Sequence, residues 1–153
     1  MKILLQRVSR ASVTIAGRIH GEIGTGFLAL VGCRSGDTVT DAEKLATKTA
    51  KLRVFEDAAG KMNLSVMDIG GSILAISQFT LYADTSSGSR PGFSLAGDPA
   101  EAKKLYLLYI KKLREILGTE KVAEGIFGAE MKVELSNEGP CTVELVSESS
   151  LKA

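Results

Sequence analysis

The sequence predicts a single α+β domain, a curled mixed or antiparallel β-sheet or barrel carrying two main helices. Three observations carry this expectation. Strand-like apolar segments dominate both ends of the chain, from Ile3 onward and again from Met131. Two stretches, at 41–53 and after Asp98, repeat their apolar residues at helical spacing. No interdomain linker and no internal repeat divides residues 1–153, a length that fits one domain.

Residues 3–8 read as a first strand, opened by the apolar run Ile3-Leu4-Leu5. In residues 11–16, Val13 and Ile15 alternate with Ser12, Thr14 and Ala16, the period-2 pattern of a half-buried strand. A turn region at 17–21 precedes a third strand at 27–31, with Gly17, Gly21, Gly24, Gly26 and Gly32 marking the turns. Thr40-Asp41-Ala42-Glu43 has the form of a capping box, Thr40 as N-cap and Glu43 reaching back. Ala42, Leu45, Ala46, Thr49 and Leu52 then extend a helix over 41–53. A buried strand at 73–80 leads to a Ser/Gly-rich loop at 84–97. Asp98 is the N-cap of a second helix, with Pro99 in its first turn and Gly118 as its stop. Residues 131–136 and 142–147 read as the arms of a hairpin joined through 137–141, and 149–153 as a frayed tail.

Composition narrows the class. Hydrophobic content of 44% and charged content of 24% are ordinary for a soluble globular protein. Cys33 and Cys141 lie far apart and outside any Cys-x-x-Cys pair, so a reducing cytoplasm is the default and a disulfide framework is not expected. Gln6-Arg7 interrupts the first apolar run before a signal-peptide core forms, and the uncharged stretch 24–33 is too short to cross a bilayer. The net charge is +1, from 19 basic and 18 acidic side chains. A nucleic-acid partner would therefore be gripped locally and in a salt-sensitive way, without a whole-molecule field.

The chemistry is defined by what is missing. His20 is the lone histidine, in a glycine-flanked turn, and reads as solvent-exposed; Ser-His-Asp or Cys-His hydrolysis needs a braced imidazole. One histidine and two distant cysteines do not make an ordinary zinc site, so no metal is expected. The run Gly21-Glu22-Ile23-Gly24-Thr25-Gly26 lacks the dinucleotide-binding order and reads as a plain turn. Cys33 and Cys141 read as buried, inert thiols. Lys103, Lys104, Lys111, Lys112 and Arg114 are open to two readings, a solvated helix face or an RNA-binding patch. Hydrolysis by such a chain suits a substrate that is already activated or brings its own catalytic group.

Two strand-end segments remain, Ser77-Gln78-Phe79-Thr80-Leu81 and Asn137-Glu138-Gly139-Pro140-Cys141-Thr142. Backbone N–H groups at Phe79 and Thr80 could hold a developing oxyanion, each donor typically worth about 2.7–4 kcal/mol. The Thr80 hydroxyl has the form of a nucleophile, with no base in view. Gly139-Pro140 is a place where a cis peptide costs only about 0.5–1 kcal/mol, and its two carbonyls could then point the same way. Arg7 interrupts the first strand and has two readings, an outward side chain or a guanidinium fork holding a backbone turn.

With these segments, Arg7-Val8, Ala11-Ser12-Val13, Arg90-Pro91, Phe127-Gly128-Ala129 and Met131 appear in the order of a known family. Residues 1–147 resemble the D-aminoacyl-tRNA deacylases (D-tyrosyl-tRNA deacylase type) end to end. The resemblance implies an ester hydrolase that releases D-amino acids from tRNA, a proofreading step in translation quality control. Glycyl-tRNA mischarged on the alanine tRNA would also be cleaved. It implies a cofactor-free, cytoplasmic homodimer, off the membrane, whose partner is the acceptor end of aminoacyl-tRNA. Gln78, Phe79 and Thr80 would line the pocket for the terminal adenosine and carbonyl, with Ser77, Phe127, Met131 and Asn137 completing it. Gly139 and Pro140 would form a chiral gate inserted into the other subunit, oriented by Arg7. The terminal 2′-hydroxyl would assist the attack in place of a protein base. Cys141 stands where the family commonly has valine, and Gly92 where a serine is usual. A non-catalytic RNA-binding module and a general small-ester hydrolase are the alternatives.

Overall fold

One long strand organises the sheet. The computed structural model describes residues 1–152; Ala153, the last residue of the expected frayed tail, lies outside them. β1 (Lys2–Ile15) pairs antiparallel with β3 (Gly26–Gly32) along its first half and with β2 (Arg18–Ile23) along its second. The two strands expected at 3–8 and 11–16 are thus one. Ala16 and Gly17, at φ 50° and 77°, make the whole turn into β2, the geometry of a two-residue hairpin. The turn expected at 17–21 is therefore mostly strand, and His20 sits exposed on β2.

β3 continues in parallel to β6 (Ser72–Ser77), and β6 in parallel to β7 (Val122–Glu124). At β3's start a Cβ on Gly26 would lie 1.7 Å from the Ser72 carbonyl oxygen, so only glycine admits this approach. The order is β2-β1-β3-β6-β7, and the sheet curls until Gly21 of β2 lies against Ala123 and Glu124 of β7. The result is the expected α+β fold with a mixed, nearly closed, barrel-like sheet. A small two-stranded sheet, β4 (Phe55–Glu56) with β5 (Met62–Leu64), lies apart.

The last long strand corrects the sequence reading. Residues 131–147 are not a hairpin but one strand, β8 (Lys132–Val146), antiparallel to β1 from Lys2↔Val146 to Thr14↔Lys132. Both expected arms find their partner in the same distant strand. Between Gln6↔Thr142 and Val8↔Asn137 the four residues 138–141 bulge out opposite Arg7. A second irregularity follows at once, because Val8↔Asn137 and Arg10↔Ser136 leave Ser9 as an extra residue on β1.

That extra residue reverses which side chains face which side. Ile3 and Leu5 join a core with Phe27, Ala29, Ile73 and Leu145, whereas Val8, Ala11 and Val13 join Leu28, Leu74 and Ile76 inside the curl. The first core is covered by α1 (Val39–Lys51) and α2 (Pro99–Leu117) through Leu45, Ala46, Tyr106, Tyr109 and Leu113. Burying a leucine such as Leu45 or Leu113 is worth about 1.5–3 kcal/mol. Thr49 Oγ1 and Tyr109 OH meet at 2.9 Å, which satisfies both hydroxyls where the helices touch.

α2 begins and ends as the sequence predicts, with Asp98 Oδ1 accepting from Ala100 N and Glu101 N and Gly118 closing it. α1 does not. Its N-cap is Thr38 rather than Thr40, and the capping partner is Asp41 rather than Glu43: Asp41 N donates to Thr38 Oγ1 at 3.2 Å and Thr38 N to Asp41 Oδ2 at 2.8 Å. A short helix covers part of the expected tail. α3 (Glu148–Leu151) brings Ser149 Oγ to 2.9 Å from Asp41 Oδ2 and Ser150 Oγ to 3.2 Å from Asp37 Oδ1. Cys33 is buried, and burial pushes its thiol up to about 12, as expected of an inert cysteine. Cys141 is half-buried against the helix-side core. No helix among the described residues is long and apolar enough to cross a membrane.

Candidate active site

β6 runs apolar through Ile76 and ends at Ser77, after which Gln78 N donates to Val31 O at 2.8 Å and the chain turns away. The next residues, Phe79–Tyr82, form a 3₁₀ turn in which Leu81 N donates back to Gln78 O at 3.3 Å. Phe79 N and Thr80 N come before the first such bond, and neither has an acceptor among the described residues. Gln78 Nε2 donates to Thr80 Oγ1, so the threonine's one side-chain partner is an amide and not a base. The turn is anchored behind by Tyr82, which is buried, shares a 2.9 Å hydrogen bond with Ser150 Oγ and lies under the Lys2 ammonium. Burial pushes the Tyr82 hydroxyl up to about 12.

In front of this turn lies a cavity of about 640 Å³, within the usual range for small-ligand sites. Ser77, Gln78 and Phe79 form one wall, and Ala102 and Tyr106 of α2 another. Phe127, Gly128, Ala129 and Met131 close it from the segment between β7 and β8. Tyr106 is fixed by donating its hydroxyl to Ala75 O at 2.9 Å and by the Phe127 ring 5.9 Å away. Among the described residues, no Asp, Glu, His, Lys or Arg side chain lines the cavity. It can grip a flat, partly apolar group and offer it free amides, but its titratable side chains are only the Cys33 thiol and the Tyr106 hydroxyl, both pushed up by burial.

The remaining predicted residues gather elsewhere, at the β1–β8 bulge. The Gly139-Pro140 peptide is cis. Arg7 follows Ile3 and Leu5 onto the helix-covered side; its Nε donates to Glu138 O at 3.0 Å and its Nη1 to Val54 O at 2.5 Å. The guanidinium thus bridges the bulge to the segment just beyond α1. Gly139 has φ 128°, and a Cβ there would fall 2.7 Å from Arg7 Nη2. Asn137 clasps the base of the bulge, accepting from Cys141 N at 3.0 Å and donating to Thr142 Oγ1 at 3.1 Å. Gly139 and Pro140 are exposed.

Ser77, Gln78, Phe79, Phe127 and Met131 thus surround one cavity with Thr80 at its edge, whereas Arg7, Asn137, Gly139 and Pro140 form a second group that does not line it. Sequence reasoning missed Tyr106, Phe93 and Val54. Tyr106 lies in the buried apolar stripe of α2, where it reads as core, and a backbone acceptor such as Val54 O leaves no side-chain signal. Phe93 could have been found as an aromatic residue standing in a Ser/Gly-rich loop.

Comparison with known proteins matches residues 4–146 to the family described as D-Tyr-tRNA(Tyr) deacylase. The D-aminoacyl-tRNA deacylase of Deinococcus deserti is 54% identical over 145 residues, covering 95% of this chain and 98% of that protein. That of Ruegeria pomeroyi is 52% identical over 143 residues, covering 94% and 97%. A solved structure described as a c-Myc DNA unwinding element binding protein superposes with a TM-score of 0.91 at 42% identity, covering 96% of this chain and 99% of that one. With nearly the whole chain matched and the strand-end motifs inside the match, this protein belongs to the D-Tyr-tRNA(Tyr) deacylase family.

Proposed function

We propose that this protein is a D-aminoacyl-tRNA deacylase that hydrolyses the ester joining a D-amino acid to the 3′ end of tRNA. The observation that carries the mechanism is the pair of unengaged amides, Phe79 N–H and Thr80 N–H, at the edge of a cavity lined by no carboxylate, imidazole, ammonium or guanidinium among the described residues. Water attacks the ester carbonyl, the new C–O bond forms, and the bond to the ribose 3′-oxygen breaks. The amides receive the oxyanion of the tetrahedral intermediate. The water proton passes to the leaving 3′-oxygen, assisted by the adjacent 2′-hydroxyl, since the cavity offers no side chain to relay it. The products are the free D-amino acid and tRNA.

Selection falls to the bulge. Gly139 and Pro140 act as a chiral gate whose carbonyls accept from the α-ammonium and whose backbone refuses a Cβ on the L side; Arg7 orients them. These residues do not line their own chain's cavity, which supports a homodimer in which the gate serves the other subunit. Glycine has no Cβ to refuse, so glycyl-tRNA mischarged on the alanine tRNA is a second substrate. The enzyme acts in the cytoplasm as a proofreading step of translation.

Parallel time courses on D- and L-tyrosyl-tRNA test this reading. The D-ester should be cleaved and the L-ester spared. Equal cleavage of both would remove the gate, and cleavage of a model ester lacking RNA would favour a general esterase. Binding without turnover would leave an RNA-binding module. A tRNA ending in 2′-deoxyadenosine should bind comparably and react far more slowly; equal single-turnover rates would show that a protein group replaces the 2′-hydroxyl.

A further inference from the structure

We propose that Phe93, together with Phe79, forms a stacking platform for the base next to the aminoacylated 3′-terminal nucleotide, so that the site reads a dinucleotide end. The inference rests on the deacylase reading above and extends it to a second subsite.

The two rings stand at the cavity with 59% and 40% of Phe79 and Phe93 exposed, centroids 5.0 Å apart and planes at 64°. Edge-to-face packing is favourable between them, yet it leaves ring faces in water. A pair of large aromatic side chains kept open beside a cavity marks a surface that a ligand covers. Phe93 is not loosely placed. Asp84 and Gly92 exchange both backbone hydrogen bonds at 2.8 Å, Ala96 N donates to Phe93 O at 3.1 Å, and Gly97 N donates to Cys33 O at 3.0 Å. The loop thus presents the ring from both sides of a fixed backbone.

Charge placement favours an unpaired nucleobase as the occupant. Among the described residues the cavity walls carry no Lys, Arg or His to draw in a phosphate, so a terminal nucleoside and its ester can enter while the next phosphate stays outside. Arg90 stands exposed on the same loop, three residues before Phe93, to meet that phosphate. The base attached to it then falls over the aromatic pair. Every base has a π-face, so such a platform is tolerant of sequence.

The test compares D-tyrosyl esters of adenosine, of a dinucleotide ending in adenosine, and of the same dinucleotide lacking its first base. The wild type should favour the intact over the abasic dinucleotide by roughly tenfold to a hundredfold in kcat/KM. Phe93→Ala and Phe93→Leu should bring that ratio to within about threefold of one, and Phe93→Trp should restore it. Binding of the unacylated dinucleotides should show the same ratios, which tests the platform without chemistry. A base preference that survives Phe93→Ala and Phe93→Leu, or none in the wild type, overturns the proposal. So does a change of oligomeric state in Phe93→Ala, because the pair would then cover a second copy of the chain. The deacylase reading fails separately, by absence of wild-type turnover on every D-tyrosyl ester while dinucleotide binding persists.

Discussion

Arg7 Nε donates to the Glu138 carbonyl at 3.0 Å, joining residues 131 positions apart, while its Nη1 donates to the Val54 carbonyl at 2.5 Å. One planar guanidinium therefore fixes the β8 bulge against the segment just beyond α1. An ammonium on a flexible stem does not hold two carbonyls in a set relative position.

Replacing Arg7 should accordingly loosen the β8 bulge more than the rest of the fold. Arg7→Ala and Arg7→Lys are expected to lose about tenfold to a hundredfold in kcat/KM on D-tyrosyl-tRNA, the equivalent of one charged hydrogen bond. Lysine should recover little of it. Wild-type kinetics in Arg7→Lys would show that charge near the bulge suffices and that the fork is unimportant.

Gly139 is the second half of the same contact. An alanine there must adopt φ near 128° and place its Cβ 2.7 Å from Arg7 Nη2. Gly139→Ala should destabilise by about 1–3 kcal/mol and lower D-selective turnover by displacing the guanidinium. Urea denaturation and deacylation measured on one preparation check this. An unchanged midpoint together with unchanged turnover would mean that the bulge absorbs a side chain freely.

Thr80 separates backbone from side-chain catalysis. Its hydroxyl accepts from Gln78 Nε2 and faces no base, so Thr80→Ala should keep activity within about tenfold of wild type, well short of the hundredfold or more that a lost oxyanion donor costs. Single-turnover rates on D-tyrosyl-tRNA give the answer. Complete loss in a folded Thr80→Ala protein would make the threonine the nucleophile and defeat the RNA-assisted account.

Asp41 makes stability depend on pH. Burial raises its carboxyl, but hydrogen bonds from the Thr38 side chain, Thr38 N and Ser149 outweigh this and leave it below the usual carboxylate value. A carboxyl depressed in the folded state stabilises above its unfolded value, near 3.9, and that contribution disappears as pH falls through the folded value. Asp41→Asn should therefore destabilise by about 1–2 kcal/mol at pH 7 and by much less near pH 2. A penalty that stays constant across this range would assign the effect to packing.

Signals that lie close together in sequence were legible as sequence. Asp98-Pro99 and Gly118 bracket α2 because capping satisfies backbone groups within one turn. Likewise the apolar run ending at Ser77 marks a strand end where polar side chains and free amides can be presented. The α1 cap was legible only in kind. Thr38-x-x-Asp41 and Thr40-x-x-Glu43 offer the same spacing, and Ser149, more than a hundred residues on, also bonds the carboxylate that caps.

By itself the sequence determined the α+β class and the strand-end motifs, because each follows from local pattern or composition. Only the tertiary structure decided that residues 131–147 form one strand, since both halves of β8 pair with β1 and no local rule reports a partner so far away. It also decided the side on which Ala11 and Val13 lie, opposite to Ile3 and Leu5. Ser9 is the extra residue that reverses the alternation of β1, and its existence depends on the register against Asn137 and Ser136. A period of two predicts a face only while the register holds, and register is a property of the pair of strands.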